Sequence, residues 1–159
     1  MEAIAASVIA VLGTLLGAAL THYSQQRTAG RAAHLARREQ LRQERLDAYS
    51  TFAGALINYR RSLVHRWFCE NEQPPPDDPD AARKSSYEIR SQAQEALFRV
   101  HMLTDDDTLT RLADTAFYGI DGLNKAEDRT RLDHRRDETR AAINEFVTTA
   151  RTRIQAGLD

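Results

Sequence analysis

Residues 46–68 read LDAYSTFAGALINYRRSLVHRWF. Tyr49, Phe52, Leu56, Tyr59, Leu63 and Trp67 recur at spacings of three and four, with Leu46, Ala53, Ile57, Arg60 and Val64 alongside. At 3.6 residues per turn these positions form one largely apolar arc, so the stretch predicts an amphipathic helix facing a core. At about 35 Å it is long enough to form one side of a helical bundle.

Downstream, Pro74-Pro75-Pro76 and Asp77-Asp78-Pro79-Asp80 cannot continue a helix and predict an exposed turn. A second helix is expected over 81–103, of about the same length, with Ile89, Ala93, Ala96, Leu97, Val100 and Leu103 inward. Thr104-Asp105-Asp106-Asp107 is a helix-start signal. The helix after it places Leu109, Leu112, Ala113, Ala116, Phe117, Ile120 and Leu123 at helical spacing, with Gly119 and Gly122 weakening its end. A fourth, over 127–156, presents Leu132, Thr139, Ile143, Phe146, Val147, Ala150 and Ile154. Short connections favour antiparallel neighbours, so residues 46–159 predict an all-α antiparallel four-helix bundle. No internal repeat is present.

Upstream, the face that is apolar after Leu46 becomes basic. Arg27, Arg31, His34, Arg38, Arg42 and Arg45 share one side of a continuing helix. Residues 22–45 therefore predict a basic helical stalk of about 36 Å, with a bend expected at Gly30. Ahead of it, Ala3–Leu20 reads AIAASVIAVLGTLLGAAL, without a charge or a proline. As a helix it would reach about 27 Å, close to a bilayer's hydrocarbon thickness. Residues 1–21 are accordingly expected to be a single transmembrane anchor. A cleaved signal peptide would want a basic start where only Met1-Glu2 stands. A soluble helix at the edge of a small domain would not need apolar residues on every side. The arginines after the span put the body in the cytoplasm by the positive-inside rule, so the expected site is the inner (cytoplasmic) membrane, crossed once. Tyr23 falls where an interfacial aromatic would sit.

Charge is segregated although the whole chain carries only −1. From His22 to Glu70 nine arginines face four acids, and from Asn71 to Asp128 six basic residues face thirteen acids. A basic surface near the membrane and an acidic one beyond it follow. Arginine outnumbers lysine twenty to two, which is taken as coding bias. A single cysteine, Cys69, excludes an internal disulfide and agrees with a reducing compartment.

The basic face is the strongest functional signal. It suits anionic lipid headgroups or an acidic protein surface, each arginine near an anionic leaflet being worth about 1 kcal/mol. The competing explanation is a solvated stalk whose charges only fix topology. Nucleic acid is disfavoured, because the stripe holds no aromatic residue to stack on bases. Gly13 and Gly17 form a GxxxG flanked by Ala6, Ala10 and Thr21, a pattern that lets two helices approach closely in lipid and predicts self-association.

His65 and Cys69 have the i, i+4 spacing of two zinc ligands, but no second pair matches them, so packing is expected. Asp105–Asp107 is expected to cap a helix rather than to bind a cation, since no calcium-loop pattern follows. His101 has no nucleophile or acid in a recognisable arrangement, and a di-iron bundle would need Glu-x-x-His, which is missing. With no phosphate loop or nucleophile elbow, the expectation is a protein that is not an enzyme and uses no cofactor or metal.

RREQLRQERLDAYSTFA at 37–53, TyrArgArg at 59–61 and LeuThrAspAsp at 103–106 resemble small single-span membrane proteins of high-GC bacteria. The resemblance covers most of the chain and implies a membrane-anchored helical protein, with no activity or ligand attached. The function expected is a membrane-tethered cytoplasmic interaction or scaffold module that self-associates. The rivals are a phage-type lysis component of the inner-membrane spanin kind, which needs the body outside the cytoplasm, and a lipid or small-ligand sensor, which needs a cavity in the bundle.

Overall fold

The computed structural model describes the backbone of residues 2–156 and the side chains of residues 33–156. Four α-helices follow in order: α1 (Glu2–Asn71), α2 (Pro79–Leu103), α3 (Asp107–Ile120) and α4 (Arg129–Ala156), with one 3-10 turn at Leu123–Lys125. There is no strand among the described residues. The chain divides into two compact units, Met1–Leu41 and Arg42–Asp159. In the first, residues 33–41 are exposed helix. Among the described residues no helix is long and apolar enough to cross a membrane. The span expected at residues 3–20, with Gly13 and Gly17, lies outside the residues whose side chains are described.

The second unit is the bundle, and its contacts give the topology. Asp47 near the start of the bundle's part of α1 pairs with Arg99 near the end of α2 at 2.9 Å, so those helices run antiparallel. Arg90 of α2 reaches Asp121 beyond α3, while His101 reaches Asp114 within it, which reverses direction again. Asp106 at the start of α3 pairs with Arg153 near the end of α4. Tyr49 and Phe52 meet Phe146 edge-on, whereas Arg60 bonds Thr139, so α4 runs antiparallel to α1 and closes the ring. The result is an up-down-up-down bundle in which α1 and α4 form one seam and α2 and α3 the opposite one.

The predicted inner row of α1, from Tyr49 to Trp67, is buried, as are Ala93, Leu97 and Val100 of α2. Leu109, Phe117 and Ile120 of α3 join Leu132, Ile143 and Phe146 of α4 in the same core. Several expected positions differ. Leu46, Ile57 and Val147, all read as part of the apolar faces, stand on the surface. They lie at the edges of their arcs, on the side where α1 and α4 part rather than beneath a third helix.

Helix starts follow from short side chains. Asp78 accepts from the N–H groups of Asp80 and Ala81, with Pro79 in the first turn, so α2 begins slightly before the expected Ala81. Of the aspartates at 105–107 it is Asp106 that caps α3, accepting from Thr108 and Leu109. The Asp128 carboxylate takes the Arg131 N–H at 2.7 Å, which sets the start of α4 at Arg129 rather than Glu127. At the turn end of the bundle the Trp67 indole N–H donates to the Ala126 carbonyl at 2.8 Å.

Candidate docking surfaces

Of the predicted basic face, Arg27 and Arg31 lie outside the described side chains, and His34 and Arg38 are exposed on α1. Arg42 and Arg45 belong to the compact bundle unit. Arg45 serves the fold, because its Nε donates to the Leu103 carbonyl at 2.7 Å and satisfies an open group at the end of α2. It also lies 3.8 Å from Asp105. Arg42 instead lines a groove between α1 and α4.

That groove is lined mainly by apolar side chains. Leu46, Ala53, Val147, Ala150 and Ile154 line about 410 Å³ of space open to solvent, and its only charged side chains are Arg42 and Arg151. Along this seam Leu46 and Val147 are each 43% exposed and Ile57 is 53% exposed. Such a row costs free energy in water unless something covers it.

Further along the seam three guanidinium groups gather. Arg60 reaches from α1 to α4, its Nε donating to the Thr139 hydroxyl at 3.1 Å and its Nη2 to the Arg136 carbonyl at 2.9 Å. Burial first, then the charges of Arg140 and Arg136, hold Arg60 below its ordinary pKa, with Asp137 partly offsetting them. Arg140 and Arg151 make no ion pair among the described residues. The seam therefore combines uncovered apolar side chains with a positive rim.

The opposite side of the bundle also leaves apolar side chains on the surface. On α2, Tyr87, Phe98 and Met102 stand eleven and four residues apart and point outward in one stripe, beside Glu88 and Glu95. Phe98 is 53% exposed, Tyr118 58% and Met102 78%. Glu88, Glu95 and Asp107 make no ion pair among the described residues. The inward periodicity of α2 masks this stripe in the sequence; the eleven-residue repeat of Tyr87 and Phe98 is the signal that could have found it.

The polar clusters have structural explanations. The Tyr59 hydroxyl donates to Asp121 at 2.5 Å, and Arg90 donates to both oxygens of the same carboxylate at 3.2 and 3.4 Å. Asp121 follows the C-terminal end of α3, where the helix dipole opposes a negative charge; Arg90 and Tyr59 offset that repulsion. Burial, then the bond to Asp121, pushes the Tyr59 phenol well above its usual range. Arg90's own hydrogen bond to Asp121 raises the guanidinium in turn.

His65 Nε2 lies 3.5 Å from the Cys69 sulfur and 3.1 Å from Asp77. One nitrogen serves both neighbours, so the three do not form a nucleophile–base–carboxylate relay, which needs both ring nitrogens. No set of three or more metal-ligating side chains comes together among the described residues. His101 pairs with Asp114 at 3.1 Å, tying α2 to α3.

A family model described as KilB plasmid transfer protein matches residues 46–154. Protein KilB of Streptomyces lividans is 31% identical over 150 residues, which covers 94% of this chain and 98% of that relative. The chain belongs to the KilB family. The resemblance to helical proteins of high-GC bacteria thus holds at the level of the family. No solved structure matches.

Proposed function

We propose that this member of the KilB family is a membrane-tethered assembly module of plasmid transfer, without catalytic chemistry of its own. Residues 3–20 cross the cytoplasmic membrane once and the bundle lies in the cytoplasm. The face of Arg27, Arg31, His34 and Arg38 meets anionic headgroups or an acidic protein surface, and copies pair within the membrane through Gly13 and Gly17. The family match over 46–154 carries the process, because it falls almost wholly on the compact bundle. The eighteen uncharged residues before a run of arginines support the tether. A groove open along its length favours a docked helix over an enclosed small molecule.

The test is plasmid transfer between marked donor and recipient strains. A donor lacking this gene should transfer poorly while keeping its plasmid copy number, and undiminished transfer would overturn the assignment. For the tether, the full chain should resist alkaline extraction from membranes, and a chain lacking residues 3–20 should be released. Retention of the shortened chain would refute the span. Gly13→Ile with Gly17→Ile should lower association in a membrane dimerisation assay, and no change there would reduce the segment to an anchor.

A further inference from the structure

We propose that the α1–α4 seam docks an amphipathic helix of another protein, one that carries two carboxylates three turns apart with apolar side chains between them. This deepens the assembly reading above and rests on it for the partner's setting in plasmid transfer, but not on the membrane span.

The residues of the seam itself carry the argument. Leu46 and Ala53 of α1 line its floor with Val147, Ala150 and Ile154 of α4. Leu46 and Val147 remain 43% exposed there, and Ile57 further along is 53% exposed. Ala53 and Ala150 are small, so the floor is a trough rather than a ridge. A trough between two antiparallel helices takes a third helix through side chains at i, i+3, i+4 and i+7.

Both ends of this floor are positive. Arg151 lines the groove at one end, beside Arg42. At the other end Arg60 crosses to α4 and feels the charges of Arg136 and Arg140. Two aspartates adjoin this second cluster: Asp133, which already holds Arg136 at 2.7 Å, and Asp137. Arg140 and Arg151 make no ion pair among the described residues. They stand eleven residues apart on α4, about 16 Å and three turns, with Val147 between them on the same side. That spacing sets the distance between the partner's carboxylates.

Charge also selects among occupants. Two α1–α4 seams face to face would set the Arg140 and Arg151 of each copy against those of the other. On the opposite side, α2 and α3 together hold five acids and five Arg or Lys, so a second copy offers no complementary face there. A single-chain anionic lipid has its charge at one end only, whereas the seam has arginines at both ends of its floor.

The experiment uses the full chain in phosphatidylcholine nanodiscs, with empty nanodiscs as the blank. The probe is a fluorescein-labelled alanine-based helix of about eighteen residues, long enough to cover the seam. Its glutamates lie at the fourth and fifteenth positions, and leucines at the seventh, eighth, eleventh and twelfth. Fluorescence anisotropy should show it binding about tenfold more tightly than the same peptide with lysines for glutamates, through two ion pairs gained and two repulsions avoided. Arg140→Glu with Arg151→Glu should reverse that preference. Val147→Asp should weaken binding about tenfold, and Phe98→Lys with Met102→Lys on the opposite side should leave it unchanged. Helicity by circular dichroism checks folding. If the glutamate pair unfolds, Arg140→Gln with Arg151→Gln takes its place and should abolish the preference.

No binding, equal binding of the two peptides, or a preference that survives loss of both arginines would overturn the proposal. If the peptide fails and oleate binds through Arg151, the occupant is lipid. If the peptide fails and Val147→Asp turns an oligomeric parent monomeric, the occupant is a second copy. Either result also overturns it. Plasmid transfer is scored apart: undiminished transfer without the gene removes the process and leaves peptide binding standing, whereas failed peptide binding removes only the docking site.

Discussion

Tyr59→Phe removes one oxygen from the middle of the bundle. The ring should stay in place, since its packing on Phe117 at a centroid distance of 5.8 Å does not involve the hydroxyl. What is lost is the bond to Asp121. A hydrogen bond to a charged group is worth about 1.5–3 kcal/mol net. Arg90 still holds Asp121 after the change, so the cost should fall near the lower end, at about 1.5–2 kcal/mol. For a folded unit of this size that lowers the melting temperature by roughly 5–10 °C. The pH dependence follows from the raised phenol. The native state keeps the Tyr59 proton to higher pH than the unfolded chain does. Stability from this group is therefore complete below the unfolded value of about 10 and is lost as pH climbs above it. Phenylalanine has no proton to lose. The gap between wild type and variant should be full at pH 7 and shrink above pH 10. Thermal melts of the detergent-solubilised full chain, followed by circular dichroism from pH 7 to 11, measure both quantities. Equal melting at pH 7, or a gap that widens in alkali, would refute the reasoning.

Leu56→Asp places a carboxylate at a fully buried position and should cost several kcal/mol, unfolding the bundle, whereas Arg38→Ala on exposed helix should leave the same melt unchanged. Gly54→Ala should raise the melting temperature by roughly 2–5 °C, because Gly54 lies in mid-helix and an added methyl group meets nothing within 4 Å. Cys69 is only 2% exposed and should react with a maleimide at a small fraction of the rate of a free thiol until the chain is denatured; rapid labelling of the native protein would show that this end opens. The N–H groups of Leu109 and Thr108, with Arg153, hold the Asp106 carboxyl below its usual range against partial desolvation. Its contribution is present above an unfolded pKa of about 3.9 and lost as pH falls through the lower folded value. Asp106→Asn keeps a cap acceptor without the titration, so melting temperatures compared at pH 6 and pH 3 should fall less in the variant.

The helices and their inward faces were legible because burial imposes a period of 3.6 on any helix that covers a core. The row from Tyr49 to Trp67 and the Asp106 cap needed only local pattern. The edges of those faces were not legible. Whether Leu46, Ile57 and Val147 are covered depends on how far α1 and α4 diverge, and that spacing is set by side chains on every helix of the ring. Arg45 shows the same limit: its spacing matches the other arginines, but Leu103, whose carbonyl accepts its Nε–H hydrogen bond, is 58 positions away. Tyr59 and Asp121 are 62 apart. Pairings of that range leave no periodic trace in one sequence, and so the seams emerged only from the assembled bundle.

Trp67 is the only tryptophan of the chain. It sits near the turn end of the bundle, 5% exposed, with its indole N–H committed to the Ala126 carbonyl. An indole so screened from water emits at shorter wavelength than a hydrated one, so the chain carries its own optical gauge. A red shift would signal that the connection between α3 and α4 has lifted away from α1. Because the fluorophore is far along α1 from the residues that line the α1–α4 groove, the two regions separate spectroscopically. A ligand that seats on the groove without loosening the far end would leave the emission where it was.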